Sequence, residues 1–186
     1  VNRHEWDDKT GRAITQADML HDLKVMKENN INADRTCHYP NQIPWYYLCD
    51  QQGIYLMAEN NLESHGTFQK MGAIEPSYNV PGSNPHWKEV VIDRARSNYE
   101  LFKNHVSVIF WSLGNESYAG ENIAAMNKFY KDHDKTRLTH YEGVVYREDL
   151  KDRISDVESR MYEKPWNIAK YLDNDPKKPF IDCEFM

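Results

Sequence analysis

The chain has 186 residues, 40% hydrophobic and 28% charged, which predicts one globular domain with a sizeable core and excludes a disordered chain. A formal net charge of −6 disfavours nucleic acid and anionic membranes as partners. No apolar run approaches the roughly 18 residues of a membrane span, and the first residues do not resemble a signal peptide. Three cysteines, an odd number without a CxxC pair, favour a reducing compartment, so we expect a cytoplasmic location.

Predicted strands alternate with predicted helices along the whole chain. Residues 1–5 have the pattern of the second half of a strand, and Thr15 with Asp18 forms a capping box before a helix that ends at Asn29. Further strands are predicted at 31–36, 54–58, 106–111, 137–141, 157–162 and 179–185, and further helices at 46–52, 87–105, 119–134 and 166–172, with a helical turn at 147–151.

The connections and the number of strands bear on the fold. Pro40 and Pro44 predict a loop before the second helix, and residues 67–86 are predicted to form a long loop. Strand and helix alternate seven times without a Gly-rich phosphate loop after the first strand, so we predict an α/β fold, a (β/α)8 TIM barrel rather than an open doubly wound sheet. A complete barrel needs about 250 residues. Residues 1–186 are therefore expected to be one partial barrel domain, truncated to about strands 1–7.

An abrupt change from apolar to polar residues follows the fourth predicted strand. Its β-branched and aromatic run is typical of a strand buried on both faces, and Asn115 and Glu116 come directly after it. Ligands bind at the carboxyl ends of parallel strands, so a hydrogen-bonding amide and a titratable acid would meet there. The alternative is that Glu116 only caps the helix that follows.

Glu184 ends the seventh predicted strand, much as Glu116 follows the fourth. Strands four and seven face one another across the mouth of a barrel, so the two carboxylates would be opposed. Such a pair suits retaining glycoside hydrolysis, in which one carboxylic acid protonates the leaving oxygen and the other carboxylate attacks the anomeric carbon. The alternative is coincidence, because acidic residues are common at strand ends.

Glu63 and His65 are separated by one residue, and with Glu116 they offer two carboxylates and an imidazole to a cation. A set dominated by oxygen ligands suits Mg²⁺ or Mn²⁺ better than a structural Zn²⁺. The spacing is unspecific, and the alternative is a polar loop in which His65 bonds to the backbone.

Further polar residues lie at or just past the ends of predicted strands one, two and six: His4, Arg35, His38 and Tyr162. They would ring the mouth with hydrogen-bond donors for sugar hydroxyls and a cation beside a carboxylate, although each is equally compatible with a structural role. Cys183, next to Glu184, is interpreted as a small buried residue. The remaining histidines lie on helices, in loops or away from the strand ends and are interpreted as structural: His21, His86, His105, His133 and His140.

Six motifs occur in a fixed order: NRHE at 2–5, RTCHYPN at 35–41, NLESHG at 61–66, WSLGNES at 111–117, MYEKP at 161–165 and DCEF at 182–185. Together they resemble the catalytic barrel of glycoside hydrolase family 2, specifically the β-galactosidases of the lactose-operon type, over essentially the whole chain. The resemblance implies retaining hydrolysis of terminal non-reducing β-D-galactose residues, as in lactose. The wording NES and CEFM favours galactosidases over the related β-glucuronidases, which are kept as an alternative.

The resemblance also implies the roles of the acidic residues. It implies Glu116 as the general acid/base and Glu184 as the nucleophile that forms a covalent galactosyl-enzyme. It implies Glu63, His65 and Glu116 as ligands of Mg²⁺, with the metal tuning the acid/base carboxylate.

The substrate contacts are implied in the same way. Asn115 would bind the sugar 2-hydroxyl, and His4 and His38 would hold other galactose hydroxyls. Tyr162 would hydrogen-bond the nucleophile, and Arg35 would orient it.

The chain departs from the family pattern in two ways. Asp34 stands where an aliphatic residue is usual, and Cys37 where serine or alanine is commoner. Family members are also several times longer, with β-sandwich domains before the barrel and further domains after it. The resemblance therefore implies that a monovalent-cation site and further galactose contacts lie outside this chain.

We accordingly expect the isolated chain to be inactive, and to associate with another copy or with the remainder of a longer polypeptide. Two rival functions stay open. One is a non-catalytic binding or assembly piece. The other is a metal-dependent hydrolase that uses Glu63, His65 and Glu116, with Glu184 incidental.

Overall fold

The computed structural model describes residues 1–68, 79–174 and 176–185. Five parallel strands form one sheet in chain order: β1 (Asn2–Arg3), β2 (Ala33–Thr36), β3 (Tyr55–Glu59), β4 (Val108–Ser112) and β5 (Leu138–His140). Two further strands form a parallel pair: β6 (Glu158–Met161) and β7 (Phe180–Glu184). The helices are α1 (Gln16–Glu28), α2 (Ile43–Gln52), α3 (His65–Phe68), α4 (Pro85–Phe102), α5 (Glu121–His133) and α6 (Pro165–Asp173).

Side chains and loops, rather than backbone ladders, connect the two groups of strands. Between β5 and β6, the backbone N–H of Asp156 donates to the carbonyl of Thr139 at 3.0 Å. Two 3-10 turns, Gly143–Tyr146 and Glu148–Leu150, form the crossover there. Between β7 and β1, the side-chain amide of Asn2 donates to the carbonyl of Cys183 at 2.9 Å. The predicted α/β partial barrel is therefore confirmed, and the strands within the described residues are divided into a group of five and a group of two.

Large aromatic side chains dominate the core between the five-stranded sheet and its helices. Trp111 of β4 is fully buried and stacks on Tyr130 of α5, with ring centroids 5.2 Å apart. Its indole N–H donates to Asp134 at 2.9 Å, which satisfies the polar atom of the buried ring. This packing fixes β4, the strand that leads to Glu116.

Several helix boundaries differ from the prediction. The capping box of Thr15 and Asp18 is confirmed, and α1 starts directly after it. Helix α2 begins at Ile43, so the loop expected at Pro44 is wrong; proline is tolerated in the first helical turn, where its missing N–H has no helical partner. Of the predicted loop at 67–86, residues 69–78 lie outside the described residues and α4 already begins at Pro85.

Within the described ranges, no helix combines the length and the apolar character needed to cross a membrane. Cys37, Cys49 and Cys183 are buried free thiols, as expected for Cys183.

Candidate active site

Arg35, at the end of β2, joins three elements through one guanidinium group. Its Nε donates to Glu59 Oε2 at 2.6 Å, its Nη1 to Glu184 Oε1 at 2.9 Å and its Nη2 to Asn115 Oδ1 at 2.8 Å. Only 3% of Arg35 is exposed. Because the guanidinium is planar and rigid, it holds these groups at fixed positions relative to one another. The structure thus brings together residues predicted on strands two, four and seven.

Glu59, the last residue of β3, belongs to the same network, and the sequence analysis missed it. It is fully buried, accepts a hydrogen bond from Ser112 Oγ at 2.6 Å and lies 2.8 Å from His38 Nδ1. Burial alone would lower the pKa of His38, but the hydrogen bond and charge of Glu59 outweigh it and raise that pKa. An acid that closes a buried strand was the available signal, the same one that identified Glu184.

Glu184 lies between two donors at the end of β7. The hydroxyl of Tyr162 donates to Glu184 Oε2 at 2.6 Å, and Arg35 holds the other oxygen. Burial would raise the pKa of Glu184, but these two donors outweigh it and lower that pKa. The hydrogen bond to Glu184 in turn raises the pKa of Tyr162 to about 12. Glu184 is therefore a carboxylate at neutral pH, the form in which it can act as a nucleophile.

Glu116 lies in the segment between β4 and α5. The helix starts at Glu121 behind its N-cap residue Gly120, so the alternative that Glu116 caps it is wrong. Glu116 Oε2 lies 2.5 Å from His65 Nδ1, and the side chain is partly exposed. The acid is thus accessible beyond the carboxyl end of β4, and Glu184 lies at the carboxyl end of β7.

The proposed metal ligands converge at this point. Ligand atoms of Glu63, His65 and Glu116 all lie within 4.8 Å of one another. The amide of Asn115 donates to Glu63 Oε1 at 3.3 Å. Two carboxylates and one imidazole, partly exposed so that water can complete the coordination, fit a hard divalent cation.

Two residues after β5 contact the backbone of Glu116 and Ser117, and neither was predicted from the sequence. Glu142 Oε1 accepts a hydrogen bond from the N–H of Glu116 at 2.6 Å. The hydroxyl of Tyr141 accepts from the N–H of Ser117 at 3.1 Å and donates to the carbonyl of the same residue. Burial raises the pKa of Glu142 to about 7. These hydrogen bonds connect the segment that follows β5 to the segment that follows β4.

His4 and His38 lie side by side at the ends of β1 and β2. Their ring centroids are 5.3 Å apart in an edge-on arrangement, and His4 Nδ1 lies 3.4 Å from the Tyr39 hydroxyl. Burial lowers the pKa of His4. With Glu63 and Trp87 they line a cavity of about 370 Å³. The imidazoles are thus placed to contact a ligand at the sheet edge.

His140 has the structural character expected, but its position differs from the expectation. It is the last residue of β5, a strand end. It is fully buried between Ser112 Oγ at 2.9 Å and Ser159 Oγ at 2.8 Å, and this burial lowers its pKa well below the usual value. The neutral imidazole of His140 makes two hydrogen bonds and so links β4, β5 and β6.

Parallel strands with acidic residues gathered at their carboxyl ends define a (β/α)-barrel whose site suits acid/base chemistry. The comparison with known families is consistent with this class. The chain belongs to the glycosyl hydrolases family 2, as its TIM barrel domain, and residues 1–186 match that family.

Curated relatives match over all 186 residues. The chain is 74% identical to the "Beta-galactosidase large subunit" of Leuconostoc lactis and 74% identical to that of Lactobacillus helveticus, in each case over 100% of this chain and 30% of the relative. The chain thus spans less than a third of the length of these proteins. A solved structure of Ruminococcus gnavus β-glucuronidase with uronic isofagomine shares the fold, with a TM-score of 0.77 over 99% of this chain, 36% of that chain and 21% identity.

Proposed function

We propose that this chain supplies the catalytic carboxylates of a retaining β-galactosidase that hydrolyses terminal non-reducing β-D-galactose residues, as in lactose. The observation that carries the proposal is the link between the two acids. Arg35 contacts Glu184 directly and contacts Asn115, the neighbour of Glu116, with a second nitrogen. The high identity to proteins named β-galactosidase supports the galactoside as the substrate class.

In the first half of the reaction, the Glu184 carboxylate attacks the anomeric carbon while Glu116 protonates the leaving oxygen. A galactosyl ester on Glu184 results. In the second half, Glu116 removes a proton from water, which attacks the anomeric carbon and releases Glu184. Tyr162 and Arg35 stabilise the carboxylate before attack and again as it departs.

The substrate contacts follow from the same arrangement. Arg35 holds the side-chain carbonyl of Asn115, and the amide nitrogen, which donates one N–H to Glu63, would offer its second N–H to the sugar 2-hydroxyl. His4 and His38 would bind other galactose hydroxyls. With Nδ1 of His38 on Glu59, its Nε2 lies 3.9 Å from Glu184 Oε1, beside the position expected for the sugar.

Glu63, His65 and Glu116 would hold Mg²⁺, and Mn²⁺ suits the same ligands. The cation, when bound, supplies positive charge beside the acid/base carboxylate. The partly exposed carboxylates leave its remaining positions to water.

The working enzyme, we propose, includes polypeptide beyond these residues. The relatives are called large subunits, and this chain spans 30% of their length. Missing galactose contacts and the monovalent-cation site would come from those parts, and the isolated chain would be inactive. Three buried free thiols support a reducing, cytoplasmic location.

Two variants of the complete protein test this function. Glu184→Gln removes the nucleophile and is expected to lower kcat by on the order of 10⁴-fold or more on aryl galactosides. Glu116→Ala is expected to retain formation of the intermediate from a 2,4-dinitrophenyl galactoside, whose leaving group needs no proton, and to be accelerated by azide. Activity that survives Glu184→Gln but is abolished by a chelator would favour the metal-dependent hydrolase, and faster turnover of a β-glucuronide would favour the glucuronidase.

A further inference from the structure

The backbone at Glu116 adopts an unusual conformation for a residue with a β-carbon. Its φ is 38°, in the left-handed region that such residues occupy only when their surroundings hold them there. The direction of the Cα–Cβ bond, and with it the carboxylate, depends on this backbone angle. The position of the Glu116 carboxylate therefore depends on the contacts that hold its backbone in this conformation.

Three successive N–H groups at this turn are each held by a different partner. The N–H of Asn115 donates to the Leu62 carbonyl at 2.8 Å, and that of Ser117 donates to the Tyr141 hydroxyl at 3.1 Å. Between them, the N–H of Glu116 donates to the Glu142 carboxylate at 2.6 Å. The bond nearest the acid is thus made by a side-chain carboxyl oxygen, and it is the shortest of the three.

The burial of Glu142 at this position is energetically unfavourable. It is 5% exposed, and its Oε2 has no hydrogen-bond partner among the residues that the structure describes. Burying a carboxyl group with an unsatisfied oxygen destabilises a fold. The presence of Glu142 here therefore indicates that the hydrogen bond made by its Oε1 has a functional role. With Glu116, Glu142 also lines a cavity of about 260 Å³ that is bordered by Arg160 and Met161.

We propose that Glu142 is a positioning residue for the general acid/base: it fixes the left-handed backbone of Glu116 so that the carboxylate faces the glycosidic oxygen. This inference rests on the proposed function of Glu116. It predicts a selective defect, because Arg35 and Tyr162 hold the nucleophile Glu184 by contacts that do not involve Glu142.

The defect has a kinetic signature that a merely structural role would not produce. A misplaced Glu116 impairs protonation of a poor leaving group and deprotonation of water, whereas attack on a substrate with an activated leaving group needs neither step. Azide, which needs no base, then restores turnover of the covalent intermediate.

The variants are compared in the complete protein. Glu142→Leu keeps the side-chain volume but removes the hydrogen-bond acceptor. Glu142→Asp shortens the side chain by one methylene group and so moves the carboxyl group away from the N–H of Glu116. Glu142→Gln keeps an oxygen acceptor and serves as the rescue variant. Glu163→Leu is the matched control, because Glu163 lines the same cavity while its carboxylate accepts from Asn167 and the N–H of Glu116 donates to Glu142 instead. Thermal unfolding identifies the variants that fold, and Glu142→Asp carries the test if Glu142→Leu does not.

We expect Glu142→Leu to lower kcat/KM for lactose by about 10- to 100-fold and to lower kcat/KM for the 2,4-dinitrophenyl galactoside less than about threefold. Azide should raise its kcat on the activated substrate. Glu142→Gln and Glu163→Leu should stay within about threefold of wild type on both substrates. Equal losses on the two substrates, no response to azide, or a folded Glu142→Gln variant as impaired as Glu142→Leu would overturn the proposal.

Glu116→Ala is measured beside these variants as a benchmark. If it shows the signature and Glu142→Leu does not, the positioning role fails while the acid/base assignment stands. If Glu116→Ala itself lacks the signature, the proposed function fails.

Discussion

The two acids of the candidate site are held by different kinds of structure. The five-stranded part that leads to Glu116 contains a continuous apolar core, in which Trp111 is fully buried. The β6–α6–β7 part that carries Glu184 is packed more thinly: helix α6 has no buried residue, and its Trp166 is 68% exposed. Glu184 depends instead on polar contacts, chiefly with Arg35 and Tyr162.

This difference shows that the part of the fold that carries a catalytic group can be held by apolar packing or by a network of charged hydrogen bonds. Packing resists displacement because every shift opens a cavity. A buried ion pair fixes geometry strongly but fails when one partner is removed, since the other charge is left without compensation. Stability and activity should therefore respond differently to changes in the two parts.

Arg35→Met should have the largest effect, because it removes the ion pair between Arg35 and Glu184 that joins the two parts. It leaves Glu59 buried without its cation, which we expect to cost about 3–5 kcal/mol in the free energy of unfolding, along with activity. Arg35→Lys keeps the charge but not the planar fork, so it should recover stability more than activity. Urea unfolding and galactoside turnover measure the two effects; a stable, active Arg35→Met variant would show that the network is dispensable.

A pair of tryptophan substitutions compares the two parts directly. Trp111→Ala opens a cavity in the core and leaves Asp134 without its indole donor, so it should cost about 3–5 kcal/mol of unfolding free energy. Trp166→Ala should change it by less than about 0.5 kcal/mol, since the ring is mostly exposed. Urea unfolding curves provide the comparison. Similar losses would mean that another surface of the complete protein covers α6.

Asp34 makes the well-packed part sensitive to pH. Burial raises its pKa to about 7, although Arg3 and the hydrogen bond from Trp45 act in the opposite direction. The folded state then keeps a proton that the unfolded state has lost, so this group lowers stability as pH rises from about 4 to 7. Asp34→Asn should be more stable than wild type at pH 8, by up to about 4 kcal/mol, with a difference that shrinks towards pH 4. If the free energies of unfolding of wild type and Asp34→Asn, measured in urea, differ by the same amount at every pH from 4 to 8, this explanation is wrong.

An effect smaller than that of Asp34→Asn is expected at the edge of the same part. Thr15→Ala removes the capping box of α1 and should cost about 1 kcal/mol, seen as a lower Tm. Galactoside turnover below the unfolding range should be unchanged, because the cap does not contact the site. A loss of turnover at full folding would show that α1 helps to shape the mouth.

Site residues can be predicted from the sequence when their position at the end of a predicted strand already places them at the edge of the sheet. Glu116 and Glu184 follow strong strand patterns, so their place at the sheet edge could be derived from periodicity and fold class. Glu59 ends a buried strand, so the same signal was available for it. Its contact with Arg35 and the contact of Glu142 with Glu116 could not be derived, because each joins residues that are distant in sequence and meet only when the strands are aligned.

Local patterns resolved the β5 to β6 crossover only in part. The helical turn predicted at 147–151 is confirmed by the 3-10 turn Glu148–Leu150, but the turn Gly143–Tyr146 was not predicted. The burial of His140 depends on contacts with Ser112 and Ser159 from other strands. Pro44 shows the converse case. Its local preference indicated a loop, but the first turn of α2 accommodates it.

The central claim is that Glu184 is the nucleophile of a retaining galactosidase. The most direct test is the intact mass of the complete protein after incubation with a 2-deoxy-2-fluoro-galactoside that carries a good leaving group, followed by peptide mapping. Fluorine slows hydrolysis of the covalent intermediate more than its formation, so the intermediate accumulates. We predict one fluorogalactosyl group on Glu184. An adduct on another residue, or none on an enzyme that turns over galactosides, would contradict the account.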